Sequence, residues 1–159
     1  MGLGAFSGPI LGPLVRIDGN SDSNKYRDIL ANQMLPFAHE KLSPTFLFQQ
    51  DSAGPHIAQL LTGPIRRLPG GRKLRLPGWF SLNNIPTPVA SPDISPIENV
   101  WAIVKEKLTG KRFKTKDELW QSLQEAWNSI TALQLMKLVE SMPRRMNALI
   151  ISKGGPTKY

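Results

Sequence analysis

The sequence predicts an α/β domain with a helical C-terminal end, because segments of strand and helix character alternate before a run of helices. Two short runs rich in β-branched and aromatic residues, Leu14–Asp18 and Thr45–Gln50, are expected to form strands. Between them, apolar side chains recur at helical spacing over Tyr26–Phe37, after a Ser, Asp and Asn cluster at residues 21–24 that can cap a helix. Residues 97–142 hold no proline and one glycine, which leaves room for further helices.

The boundaries of the C-terminal helices are marked in the sequence. Ser95–Glu98 and Thr115–Glu118 each match a capping box, and Pro96 occupies the favoured first helical position. A third helix is expected to begin near Thr131. Its apolar pattern continues beyond a proline, so we expect a break or kink at Met142–Pro143.

Composition excludes several classes of protein. With 159 residues and 40% hydrophobic residues, the chain is long enough for one domain with a core of its own. No window approaches the roughly 18–20 apolar residues of a membrane helix, and the first residues have no basic region ahead of an apolar run, so neither a span nor a secretory signal is expected. Without cysteine, disulfide scaffolds and thiolate metal sites are excluded.

Positive charge is concentrated in one part of the chain. The net charge is +8, and residues 62–78 contain five basic residues and no acid. Seven prolines and four glycines between residues 62 and 96 predict that this region is largely loop. Such a region is either a solvated basic loop or a surface for a polyanion such as nucleic acid. The candidate nucleic-acid-binding residues there are Arg66, Arg67, Arg72, Lys73 and Arg75, and Lys111–Lys116 is a second basic run.

Two local patterns carry the chemistry: QQDSAGPH at Gln49–His56 and SPDISPIENVW at Ser91–Trp101. GAFSG near the start, PLVRIDG at Pro13–Gly19 and KGGPTKY at the end accompany them. Together these motifs resemble the catalytic domain of mariner-superfamily transposases, specifically the Tc branch. The resemblance covers nearly the whole chain in order, with residues 62–78 as the main exception.

The resemblance implies a ribonuclease H-like, retroviral-integrase-like fold and a DDE active site. In that site two Asp and one Glu hold two Mg²⁺ or Mn²⁺ ions for DNA cleavage and strand transfer. Asp51 matches the second carboxylate, at the end of a strand, and Glu98 matches the third, in the first turn of a helix. Each also has a plainer interpretation, because Asp51 could cap a turn and Glu98 could complete a capping box. Only the joint pattern favours the metal site.

The chain departs from the family pattern at its start. The first catalytic Asp of the family precedes the segment that matches MGLGAFSG, so the fold is expected to lack its first strand. The nearby acids Asp18 and Asp22 match non-catalytic positions. The paired helix-turn-helix region of the family is also absent from these 159 residues. We therefore expect a partial catalytic domain over residues 1–159 that is destabilised and inactive by itself.

A second departure lies between the two matched carboxylates. The 46 residues between Asp51 and Glu98 exceed the family spacing, and the excess falls in residues 62–78. This insertion interrupts what would otherwise be one helix. It is interpreted either as a basic loop that contacts DNA or as sequence retained in a degenerate copy of the gene.

The predicted function is DNA transposition, with transposon-end DNA as partner. The alternative from another class is a nonenzymatic nucleic-acid-binding or oligomerisation remnant, and a decayed element without function is a third. A homo-oligomer is compatible with each of these, and no membrane partner is expected. DNA as substrate implies a nuclear location, for which KRFKTK at Lys111–Lys116 is either an import signal or an ordinary solvated loop.

Overall fold

A computed structural model describes residues 2–19, 22–43, 46, 48–49 and 95–152. The backbone divides into two compact units. One unit comprises Met1–Arg16 and Ser91–Tyr159, and the other comprises Ile17–Ala90. The first unit contains a β-hairpin and the three C-terminal helices, and the second contains the N-terminal helices.

The hairpin consists of antiparallel strands β1 (Gly2–Ser7) and β2 (Ile10–Arg16). Gly8 makes the tight turn between them with a φ of 56°, a conformation that glycine adopts without steric cost. The predicted strand over Leu14–Asp18 is therefore misplaced, since β2 begins four residues earlier and ends at Arg16. Gly12 and Pro13 are poor strand residues and concealed its first half.

A β-bulge explains how β2 accommodates its proline. Gly4 lies opposite Leu14, whereas Phe6 lies opposite Leu11. One residue of β1 therefore faces two of β2, Gly12 and Pro13. Proline has no N–H to donate to a ladder, so a bulge is one of the few places in a strand that tolerates it.

The second unit contains one long helical segment with an irregular centre. Helices α1 (Ser23–Ile29) and α2 (Leu35–Lys41) are joined by a π-helical turn over Leu30–Met34. Asp22 caps α1, as the polar cluster predicts, because its carboxylate accepts a hydrogen bond from the Lys25 N–H at 2.8 Å. The buried side chains follow helical spacing and confirm most of the predicted stripe, although Gln33 is exposed. They are Tyr26, Leu30, Met34 and Ala38. The strand predicted over Thr45–Gln50 lies largely outside the described residues.

Helices α3 (Pro96–Leu108), α4 (Lys116–Asn128) and α5 (Ala132–Ile151) confirm the three predicted starts. Their caps differ from one another. Thr115 Oγ1 accepts from the Glu118 N–H at 3.1 Å, which is the first half of the predicted capping box. In the second half, Glu118 Oε2 accepts from the N–H of Lys114, one residue before the expected Thr115. The full capping box is at Thr131. At α3, Ser95 makes no side-chain cap bond, so the box predicted there is wrong.

Helix α5 continues through Pro143, so of the break or kink predicted at Met142–Pro143 the break is wrong, and the kink stays a prediction. Proline removes one helical donor, but the residues around it are well held. Leu135 is fully buried. Ser141 Oγ donates to the Leu138 carbonyl at 2.6 Å and accepts from Arg145 Nε at 2.8 Å. Packing and these side-chain hydrogen bonds therefore stabilise the helical conformation on both sides of the proline.

Trp127 is the centre of the core in the first unit. Its side chain is 1% exposed, its ring centroid lies 5.2 Å from that of Trp101, and its Nε1–H donates to the Gly12 carbonyl at 3.1 Å. A Cβ on Gly4 would lie 2.4 Å from the Trp127 ring, so strand β1 can approach the ring this closely only because residue 4 is glycine. Trp101 and Trp120, both half-buried, also contribute apolar surface. This core fixes helix α3, which carries Glu98.

Within the described part of the chain, no helix is long and apolar enough to cross a bilayer.

Candidate functional site

Glu98 lies in the first turn of α3, as predicted, and its side chain is exposed. Val100 on the same helix is fully buried. Side chains two residues apart on a helix point in directions that differ by about 200°. Because Val100 faces the core, Glu98 therefore faces solvent. Pro96 supplies the preorganised start of the helix, and the Glu98 N–H donates to the Ser95 carbonyl at 3.1 Å.

The Glu98 carboxylate is not used by the helix cap. Between the described residues Ser95 and Glu98, no side-chain capping bond forms in either direction. Among the described residues, no basic side chain pairs with this carboxylate. The plainer interpretation of Glu98 as a capping-box member is therefore wrong, and its oxygens are accessible to a ligand. A carboxylate in this position is also favoured by the positive end of the helix dipole.

The other predicted ligand, Asp51, lies outside the described residues, as does His56. Its pairing with Glu98 stays a prediction. No group of three or more His, Asp or Glu side chains that could hold a metal occurs within the described ranges.

Three other described acids differ in their surroundings. Asp22 is occupied in capping α1, and Asp18 is exposed. Asp117, in the first turn of α4, pairs with Arg16 of β2 at 2.6 Å.

The basic residues fall into two sets. The candidate nucleic-acid-binding residues Arg66, Arg67, Arg72, Lys73 and Arg75 lie outside the described residues, together with the rest of residues 62–78. The second run, Lys111–Lys116, is described, and its basic side chains are exposed between α3 and α4. Two further exposed cations, Lys105 and Lys107, precede this run in the last turn of α3 and were not predicted to belong with it. Gly110 marks the expected end of the helix, so the sequence alone could have placed the two lysines beside the basic run.

Known transposases match this chain over nearly its whole length. No family model matches. The Tcb1 transposable-element transposase of Caenorhabditis briggsae is 38% identical over 156 residues, which cover 98% of this chain and 53% of that protein. The Tc1 transposase of Caenorhabditis elegans is 33% identical over the same coverage. The Tc3 transposase of that organism is 29% identical over 90% of this chain and 40% of its own length. The chain thus spans about half the length of these transposases or less.

Among solved structures, the Mos1 transposase catalytic domain, determined with raltegravir and Mn, matches with a TM-score of 0.69. The match covers 92% of this chain and 70% of that chain at 17% identity. At such identity the likeness establishes the fold alone. The predicted ribonuclease H-like fold class is therefore confirmed.

Sequence and fold agree on one relationship. The predicted resemblance rested on QQDSAGPH and SPDISPIENVW, and the aligned relatives extend it across nearly the whole chain. Over nearly its whole length, the chain is similar in sequence to transposases of the Tc1/mariner family.

Proposed function

We propose that this chain provides the catalytic fold for DNA transposition, in which divalent cations promote DNA cleavage and strand transfer. Asp51 and Glu98 are the proposed metal ligands. The observation that carries the proposal is the Glu98 carboxylate, which is exposed, serves no cap and makes no ion pair with the described residues. The DNA of transposon ends is the proposed partner, since the relatives are named as transposases of transposable elements.

The donor chemistry of these two residues fits the proposed metals. Carboxylate oxygens are hard ligands, which suit Mg²⁺ and Mn²⁺. The exposure of Glu98 supports this fit, because an ion can reach its oxygens without displacing a partner among the described residues. The Mos1 catalytic domain was solved with Mn. Bound cations of this kind polarise a phosphate and stabilise the charge of the attacking and leaving oxygens.

The contribution of this chain is to hold Glu98 in a fixed position. Helix α3 is anchored by Val100 and Val104, both almost completely buried, and by the contact of Trp101 with Trp127. A ligand carried by a rigid helix loses little freedom when it binds a metal, so more of the interaction is available for binding.

Two of the three family carboxylates are matched in these 159 residues. We therefore propose that the chain assayed alone binds a cation weakly and does not cleave DNA. Location in the nucleus, which follows from DNA as the substrate, remains part of the proposal, as does self-association.

The test is a Mn²⁺ titration of the full chain, followed by the electron paramagnetic resonance signal of free Mn²⁺. Glu98→Gln and Asp51→Asn should each weaken binding by roughly tenfold or more, because each removes a charged ligand. Glu106→Gln is the matched control, since Glu106 is exposed on the same helix. Equal affinities for Glu98→Gln and Glu106→Gln would overturn the assignment of Glu98.

Inactivity of the isolated chain has its own test. The chain is incubated with transposon-end DNA and Mn²⁺, and nicking is followed on a gel. We expect none. Metal-dependent nicking that Asp51→Ala abolishes would refute the proposed inactivity while supporting the metal site.

The second candidate function is a nonenzymatic nucleic-acid-binding remnant. The exposed basic side chains between α3 and α4 favour it. It predicts DNA binding that needs no metal and that Glu98→Gln leaves unchanged.

A further inference from the structure

An exposed set of cations surrounds the junction between α3 and α4. It begins in the last turn of α3 and ends at the first residue of α4. All six side chains are exposed. We call this set the basic ridge; it consists of Lys105, Lys107, Lys111, Arg112, Lys114 and Lys116.

The basic ridge is not neutralised by its neighbours. Glu106 is the single acid between residues 105 and 116. The next two acids form no ion pair with a ridge side chain, since Asp117 pairs with Arg16 at 2.6 Å and Glu118 accepts from the backbone N–H of Lys114 at 2.7 Å. Among the described residues, no ridge side chain has a carboxylate ion-pair partner. The positive charge is therefore available to an external anion.

The backbone that carries the ridge is ordered by local hydrogen bonds. Thr109 donates through its N–H to the Glu106 carbonyl and through Oγ1 to the Lys105 carbonyl, both at 3.0 Å. Gly110 turns the chain with a φ of 81°, and the Lys111 N–H bonds to the Leu108 carbonyl. A turn held in this way loses little conformational entropy on binding.

The ridge is polar throughout its exposed surface. The two large apolar residues between its cations in the sequence, Leu108 and Phe113, are partly buried. The exposed large apolar side chains of the described residues lie on α4 and α5, outside the ridge. A surface that binds membranes through an amphipathic element needs apolar side chains to insert. Charge without such side chains fits a nucleic-acid backbone instead, which is a dense, regular row of phosphates.

We propose that the basic ridge is a DNA-contact surface that binds duplex phosphates without reading sequence, separately from Asp51 and Glu98. It rests on the proposed function, which supplies DNA as the partner. Its binding needs no metal, because lysine and arginine side chains neutralise phosphates directly and release counterions. The ridge would hold the duplex, and Asp51 and Glu98 would hold the cations that promote its cleavage.

The experiment compares two double variants of the full chain with equal loss of charge. Lys111→Ala/Arg112→Ala removes two ridge cations, and Lys137→Ala/Arg144→Ala removes two exposed cations of α5. Binding to a short fluorescent duplex is followed by anisotropy in EDTA over a range of salt concentrations. Far-ultraviolet circular dichroism and thermal unfolding check that both variants fold as the parent chain does.

The ridge variant should bind at least about tenfold more weakly at moderate salt, and its logarithmic salt slope should fall by about 2, since each phosphate contact contributes about 0.9. The loss should be similar for duplexes of different sequence. The α5 variant should retain the parent slope. Equal losses in both variants would overturn the proposal, because an unspecific cationic or unfolded chain would respond to charge alone.

Two further outcomes separate this inference from the proposed function. A parent chain that fails to bind DNA would count against both. The ridge variant could bind DNA as tightly as the parent chain while the Mn²⁺ affinity still depends on Glu98. That result would overturn the ridge proposal alone. Vesicles rich in phosphatidylserine provide the competing surface, and tighter binding to them than to the duplex at equal salt would overturn DNA as the partner.

Discussion

The two ends of helix α3 carry opposite charge, and the helix alone explains only part of the difference. A carboxylate near the N-terminus and cations near the C-terminus both complement the helix dipole. However, Glu98 at the first end takes no part in the cap, and at the second end the basic ridge continues through Lys116, beyond the helix. Dipole effects fade within the terminal turns. The charge beyond those turns is more than helix stability requires, which favours a role in binding.

One core supports both ends. With 13 residues, α3 is about 20 Å long at 1.5 Å per residue. Its buried residues Val100 and Val104 lie between Glu98 and the ridge. The proposed metal ligand and the proposed phosphate surface are therefore held at a fixed distance by the same packing, and substitutions can separate effects on the support from effects on either end.

The largest effect is expected where the support itself is disturbed. Gly4→Ala would place a Cβ 2.4 Å from the buried Trp127 ring, so strand or ring must shift, at a cost of about 1–3 kcal/mol or more. The free energy of unfolding, from urea titration, should fall, and both Mn²⁺ and DNA affinity should fall with it. Gly2→Ala is the control, since its Cβ meets Leu123 and Trp120 at an ordinary 3.5 Å. If both variants were equally stable, Trp127 would not be the common support.

A second variant pair tests what holds the N-terminal end of α3. Thr131→Ala removes a capping box from α5 and should cost about 1 kcal/mol of unfolding free energy. Ser95→Ala removes a side chain that makes no cap bond, so the cost at α3 should be a few tenths of a kcal/mol at most. Urea unfolding of both variants measures the difference. A loss at Ser95 as large as that at Thr131 would show that the serine caps α3 after all.

These comparisons indicate which parts of the fold can be predicted from the local sequence. The starts of α3, α4 and α5 depend on Pro96, Thr115 and Thr131, whose effects act within one helical turn, and all three were predicted. The start of β2 was missed because its bulge is supported by a distant residue, Trp127, which bonds to the Gly12 carbonyl. The continuation of α5 through its proline likewise depends on packing that local rules do not contain.

The candidate site was predicted to a similar extent. The helix position and exposure of Glu98 follow from Pro96 and from the buried valine two residues later, both visible in the sequence. The use of Glu98 could not be settled locally, because PIEN fits both a cap and a ligand, and the missing cap bond is a three-dimensional fact. Asp51 and the insertion at 62–78 stay predictions, since they lie outside the described residues. The full extent of the ridge was missed because Lys105 and Lys107 belong to a helix and the remainder to a loop.

A smaller effect is expected from the cations that α3 itself contributes. Lys105→Ala/Lys107→Ala should lower the free energy of unfolding by a few tenths of a kcal/mol at low salt, because both side chains complement the dipole in the last turn. High salt should remove this difference. The same variant should weaken DNA binding as the ridge proposal requires. A loss of stability that persists in high salt would point to packing rather than charge.

The smallest effect concerns the acid that borders the ridge. Arg16→Ala breaks the exposed pair with Asp117, which by itself is worth no more than about 1 kcal/mol of stability. Released from Arg16, the Asp117 carboxylate can turn toward Lys114 or Lys116 and neutralise part of the ridge, so DNA affinity should fall by more than the loss of one cation explains. In Arg16→Ala/Asp117→Asn this additional loss should disappear. Anisotropy titrations of both variants decide the point, and identical affinities would mean that the Arg16–Asp117 pair does not keep Asp117 away from the ridge.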